Sequence, residues 1–114
     1  MLRIIFLIAA IFVVCACKPK IAPEYKNMNV LVYGRDSCSL TQSMIKRLKN
    51  EGVPYLYRNI DKPHFNNEMW NRVEQSNIDQ KSFTHLPAVD INHHFMVNAR
   101  SDEIMAQINK SLHK

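Results

Sequence analysis

The chain has 114 residues, 46% of them hydrophobic and 22% charged, and 15 Lys and Arg against 10 Asp and Glu give a net charge of +5. That length allows one domain at most. With only two glycines, collagenous and low-complexity classes are excluded, and the three cysteines (Cys15, Cys17 and Cys38) are too few for a disulfide scaffold and fit no two-Cys, two-His zinc spacing.

Met1-Leu-Arg3 is a short basic start, and Ile4 to Val14 is an uninterrupted apolar run. As a helix that run would reach about 16 Å, well short of a bilayer core of roughly 30 Å, so it reads as the apolar region of a signal peptide spanning residues 1–16. Val14-Cys-Ala-Cys17 then gives way to Lys18-Pro-Lys20. Ala16-Cys17 resembles the end of a bacterial lipobox, which implies cleavage before Cys17, lipidation of Cys17 and loss of Cys15. Cys15 is an unusual occupant of the position before Ala16. Lys18, rather than an aspartate, after the lipidated cysteine implies outer-membrane sorting. Plain secretion with a cut near Ala16 and an uncleaved anchor are the alternatives, and all three put the domain outside the cytoplasm. Residues 17–28 contain two prolines and no hydrophobic period, as in a tether.

Residues 29–114 read as one domain. Asn29 to Tyr33 is a short β-rich run, consistent with a buried strand that Gly34-Arg-Asp-Ser37 breaks. Leu40, Met44, Ile45 and Leu48 recur at helical spacing, and Gly52 supplies the stop expected just past a helix end. Tyr55 to Ile60 predicts a second strand, and Phe65 to about Asn77 a second helix with Met69, Trp70 and Val73 as core. Ala88 to Ile91 and Phe95 to Val97 form a hairpin around Asn92-His-His94. Ser101 is placed to cap a last helix with Asp102 and Glu103 in its first turn and Ile104, Met105, Ile108 and Leu112 on its apolar face. The order β-α-β-α-β-β-α predicts an α/β domain with a four-stranded mixed sheet and helices on both faces.

Cys38 falls between the first strand and the first helix, where free N–H groups and the helix dipole favour a thiolate. Arg35 adds positive potential, Thr41 can offer its hydroxyl to the sulfur, and Asp36 is placed to cap the helix. The alternative is a small buried hydrophobe.

These residues resemble the glutaredoxins, a branch of the thioredoxin fold. Tyr33-Gly-Arg-Asp-Ser-Cys38 is similar to the family's strand end followed by its nucleophile, with Arg35 where a basic residue meets a glutathione carboxylate. Glu51-Gly-Val-Pro-Tyr55 leading into Asn59-Ile-Asp61 is similar to its second strand, and Leu86-Pro87-Ala-Val-Asp-Ile91 to its Val-Pro motif with a cis-proline. Ser101-Asp-Glu-Ile104 is similar to its Cys-Asp-Asp-Leu, which grips the γ-glutamyl end of glutathione. The resemblance covers Asn29 to Leu112. It implies a thioredoxin-like fold of glutaredoxin type, Cys38 as the catalytic nucleophile (with Thr41, on the reading of the residues above, as its catalytic activator), and Tyr33, Arg35, Leu86, Pro87, Ser101 and Asp102 as a glutathione or thiol-peptide site. It implies no bound cofactor and no metal, with glutathione or another small thiol as co-substrate.

Two departures narrow this. The family's Cys-Pro-Tyr-Cys is here Cys38-Ser-Leu-Thr41, so no resolving cysteine is present, and an external thiol must clear any disulfide on Cys38. The family's paired glycines before the last helix are Ala99-Arg100, which crowd the glutathione position. The expected function is therefore monothiol exchange in the bacterial envelope. The alternatives are a redox-inactive binding module and an arsenate-reductase-like enzyme using Arg35 and Arg100, with Arg58 and Arg72 less well placed. The expected partners are a thiol-containing peptide or protein and, through the lipid anchor, the membrane; the domain is expected to be a monomer without nucleic acid. Lys46, Arg47 and Lys49 would offer a modest basic surface to anionic lipid or envelope polymers.

Overall fold

A computed structural model of the chain describes residues 21–113. The segment expected to be a signal peptide, with Cys15, and Cys17 lie outside the described residues. The elements are β1 (Val30–Gly34), α1 (Ser39–Asn50), β2 (Leu56–Asn59), α2 (Pro63–Gln75), β3 (Ala88–Ile91), β4 (His94–Met96) and α3 (Ser101–Leu112), with short 3-10 turns at Pro23–Tyr25 and Gln80–Ser82. They form one four-stranded sheet in the order β2-β1-β3-β4. β1 and β2 run parallel, while β1–β3 and β3–β4 are antiparallel. This is the mixed sheet expected from the element order. No helix of the described residues is long and apolar enough to cross a membrane.

Alternation along the strands sends successive side chains to opposite faces. Val30, Val32, Val89 and Ile91 pack with Met44, Ile45 and Leu48 of α1 and Ile104, Met105 and Ile108 of α3. Tyr33, Ala88 and Phe95 pack with Met69 and Val73 of α2 on the other face. Burying each such side chain contributes about 1.5–3 kcal/mol, and the two layers together hold the sheet.

Both α1 and α2 end in the same left-handed stop. Gly52 has φ 71°, and the N–H groups of Gly52 and Val53 donate to Lys49 and Leu48 carbonyls at 3.1 and 2.9 Å. At the end of α2, Asn77 takes φ 56°, and Asn77 and Ile78 donate to Glu74 and Val73. Glycine and asparagine are the residues that tolerate this conformation. Asn92 and His93, at φ 47° and 74°, make a two-residue hairpin turn of the type that matches strand twist, with Ile91 paired to His94.

Four expectations are corrected. Residues 22–28 are not a free tether: Tyr25 and Met28 are buried in the α1–α3 layer, Tyr25 Oη donates to Asn109 Oδ1 at 3.4 Å, and Ala22 N–H donates to the Gly52 carbonyl at 2.9 Å. The break expected over Gly34-Arg-Asp-Ser37 starts one residue later: Gly34 is the last residue of β1, paired with Asn59. The buried face of α1 is Thr41, Met44, Ile45 and Leu48, while Leu40 is 53% exposed. Ser101 is the first residue of α3 rather than its cap. Arg100 is the cap residue, and its N–H donates to the Glu103 carboxylate at 3.4 Å.

Candidate functional site

Cys38 is the N-cap residue of α1. Its backbone is extended (φ −88°, ψ 115°), its N–H donates to the Arg35 carbonyl at 3.1 Å, and its carbonyl receives Gln42 N–H at 3.1 Å. The sulfur is free and half-buried. The thiol pKa is held below its ordinary value, chiefly by the Thr41 hydroxyl, against the opposing cost of burial. The Thr41 and Leu40 N–H groups and the Arg35 charge lower it further. Thr41 is fully buried, and its Oγ1 has no other hydrogen-bond partner, so a thiolate on Cys38 is the acceptor that would satisfy it.

Gly34 fixes where Thr41 sits. A Cβ on Gly34 would lie 2.3 Å from both Cγ2 and Oγ1 of Thr41, so α1 approaches β1 this closely only over a glycine. Reading Gly34 only as the first residue of the break after the strand misses this role.

The loop between them is braced from β2. Asp36 does not cap α1: its carboxylate accepts from Tyr57 Oη at 2.8 Å and from Asn59 Nδ2 at 3.5 Å. Burial, then this carboxylate, pushes Tyr57 above the ordinary tyrosine range. Arg35 is exposed and paired with Asp61 at 3.1 Å.

The Leu86–Pro87 peptide is cis, as the resemblance implies. Beside it lies a cavity of about 230 Å³ whose walls include Leu40, Met44, Leu86, Pro87, Ala99 and Ile104, with Ser43, His85, Arg100 and Ser101 as polar members. Leu86, Pro87 and Ser101 thus meet at one opening with the first turn of α1. Asp102 stands outside it, 86% exposed and paired with Arg47 at 3.2 Å. Tyr33 is not brought to the site. It is 1% exposed, packs in the α2 layer, and lies near Arg58 of β2, whose Nη1 is 3.5 Å from its hydroxyl.

Asn98 is the positioning residue that sequence reasoning missed. At φ 56°, its Oδ1 accepts from Thr84 N–H at 2.8 Å, Thr84 Oγ1 at 3.1 Å and His85 N–H at 3.2 Å, and its Nδ2 donates to the Ser82 carbonyl. It ties down the segment that delivers Leu86 and Pro87. The only local signal is an asparagine three residues before a helix, a weak one.

The remaining arginines are committed elsewhere. Arg58 pairs with Glu68 and Arg72 with Asp90, both on the α2 side of the sheet. Oxyanion chemistry at Cys38 is left with Arg100, which makes no ion pair among the described residues, and with Arg35 only if Asp61 releases it. A larger cavity of about 420 Å³ opens between α2 and the first residues of β1 and β2, with Leu31, Leu56, Glu68, Arg72 and Asp90 in its wall. It adjoins the start of β1, whereas Cys38 follows its end.

No family model matches the chain, and no curated protein matches it. Among solved structures, the chain is similar to glutaredoxin 1 from Francisella tularensis, described as complexed with cacodylate. The match has 18% identity and a TM-score of 0.54, over 76% of this chain and 99% of that one. With the sheet order and the cis-proline already described, this likeness gives the chain the thioredoxin-like fold of the glutaredoxins.

Proposed function

We propose that the domain carries out monothiol thiol–disulfide exchange through Cys38. The observation that carries the reading is the thiol at the α1 N-cap, with the otherwise unpartnered Thr41 hydroxyl and two backbone N–H groups favouring its thiolate. In the forward step the Cys38 thiolate attacks one sulfur of a disulfide, the S–S bond breaks, and the departing thiolate takes a proton from water. A mixed disulfide now joins Cys38 to the substrate. Since Thr41 stands where a second cysteine would resolve it, glutathione or another small external thiol attacks that bond and restores the Cys38 thiolate.

The test is incubation of the purified domain with excess glutathione disulfide, followed by intact mass. One glutathione adduct is expected, absent in Cys38→Ser and reversed by dithiothreitol. An unmodified wild-type protein would overturn the reading. A redox-inactive binding module is the second reading, favoured by the ion pairs that occupy Arg35 and Asp102.

The reading includes export, with Cys17 lipidated and the domain held at the periplasmic side of the envelope. Its support is the sequence pattern of Met1 to Lys20. Cys38 is then the one free thiol of the mature chain. Labelled palmitate should enter the wild-type protein and not Cys17→Ala; no label in either would remove the anchor.

A further inference from the structure

We infer that the cavity whose wall begins at Leu40, two residues after Cys38, selects disulfides in which the reacting cysteine lies next to an apolar residue of a peptide or protein, over the free tripeptide glutathione. The inference rests on exchange at Cys38 and names the substrate class for it. Three observations carry it.

The first is size. The cavity holds about 230 Å³, below the roughly 300–1,000 Å³ of pockets that enclose a whole small molecule. It suits one side chain of a larger partner. The second is its walls. Met44, Leu86, Pro87 and Ile104 are apolar, and Leu40, half exposed, stands two residues after the sulfur at the same helix start. An apolar side chain seated against them gains about tenfold to a hundredfold over glycine. The third is charge. Arg35 and Asp102, which could hold the two ends of glutathione, are paired with Asp61 at 3.1 Å and Arg47 at 3.2 Å. Each exposed pair is worth a factor of about five at most, so this term tilts the choice and the walls decide it. Arg100 at the cavity is unpaired among the described residues, and so an acidic flank on the partner is favoured.

The chemistry is unchanged. The Cys38 thiolate attacks the peptide's sulfur, the bond to its outer thiol breaks, and that thiol leaves as the thiolate. Three probes compare the classes, each a mixed disulfide with 5-thio-2-nitrobenzoate: acetyl-Glu-Leu-Cys-Leu-amide, acetyl-Glu-Gly-Cys-Gly-amide and glutathione. Release of the coloured thiolate gives the second-order rate constant on the full domain, referred to each probe's rate with free cysteine. After that correction the leucine peptide should react at least tenfold faster than either other probe. Leu40→Ser, a surface change that leaves the core intact, should narrow the ratio of leucine to glycine peptide. Glutathione matching the leucine peptide, or equal corrected rates for the two peptides, would overturn the inference while leaving exchange at Cys38 standing. No release from any probe, with Cys38 still alkylated by iodoacetamide, would remove the exchange reading and this inference with it.

Discussion

Gly34→Ala should be among the most damaging single-methyl changes in the domain. The added Cβ would sit 2.3 Å from Thr41 Cγ2, 2.3 Å from Oγ1 and 2.9 Å from Cβ, where carbon contacts are at their best near 3.5–4.0 Å. Neither side can yield easily. β1 is held between β2 and β3, with Ile60 N–H bonded to the Gly34 carbonyl at 2.9 Å, and Thr41 is fully buried in the first turn of α1. Overpacking of a well-filled site costs about 1–3 kcal/mol, and two immobile partners put this case at the upper end, about 3 kcal/mol. In urea, with a slope of about 1–3 kcal/mol per molar, the unfolding midpoint should fall by at least about 1 M. Thr41→Ala removes the two atoms at 2.3 Å, so the double variant should recover at least about 1 kcal/mol relative to the sum of the single changes. In Gly34→Ala alone, displacement of Thr41 should also slow alkylation of Cys38 at neutral pH. A Gly34→Ala protein within about 0.5 kcal/mol of the parent, or strictly additive single and double changes, would refute the packing argument.

Asn98→Ala should cost about 2–3 kcal/mol by urea unfolding, from lost hydrogen bonds at Ser82, Thr84 and His85 and from a Cβ residue left at φ 56°. Asn98→Gly should recover the backbone part, and equal losses for both would contradict that division. Arg72→Met leaves the Asp90 carboxylate, whose side chain is 6% exposed, with only the His93 N–H at 2.8 Å. It should cost about 3–5 kcal/mol, and Arg72→Met with Asp90→Leu distinctly less, because the buried charge is then gone. A double variant no more stable than Arg72→Met would argue against that account. The lowered Cys38 pKa also carries a stability sign: the thiolate's contribution is full above the unfolded thiol's pKa and is lost as the pH falls through the folded one. The stability gap between wild type and Cys38→Ser should therefore widen toward alkaline pH, and a gap that does not change would contradict it.

Periodicity made most of the fold readable in the sequence. Strand alternation, the apolar face of α3 and the stop at Gly52 each depend on neighbours within a few residues, and each is where the residues imply. What the sequence hid depends on distant partners. Leu40 and Thr41 are adjacent candidates for the same face of α1. Hydrophobicity favours Leu40, but contact with Gly34 across the strand–helix junction places Thr41 inside. The resemblance names Arg35 and Asp102 as binding residues, but their ion pairs with Asp61 and Arg47 exist only once separate elements have docked. Tyr33 fits the family pattern, but strand parity turns its ring to the α2 face. Burial of Tyr25 likewise requires α3, 84 residues away at Asn109. The position of Cys38 was legible because helix-end chemistry is local. The cavity lined from Leu40 onward was not, since α1, the cis-proline segment and α3 meet only in the fold.

The central claim is that Cys38 is an activated thiol with Thr41 as its principal activator, and the pH profile of its alkylation by iodoacetamide tests this most directly. The rate should rise with a midpoint below that of an unperturbed cysteine thiol, about 8.5, and the midpoint should move upward in Thr41→Val, which keeps the shape and removes the hydroxyl. A wild-type midpoint at or above about 8.5, with Thr41→Val superimposed on it, would contradict the account.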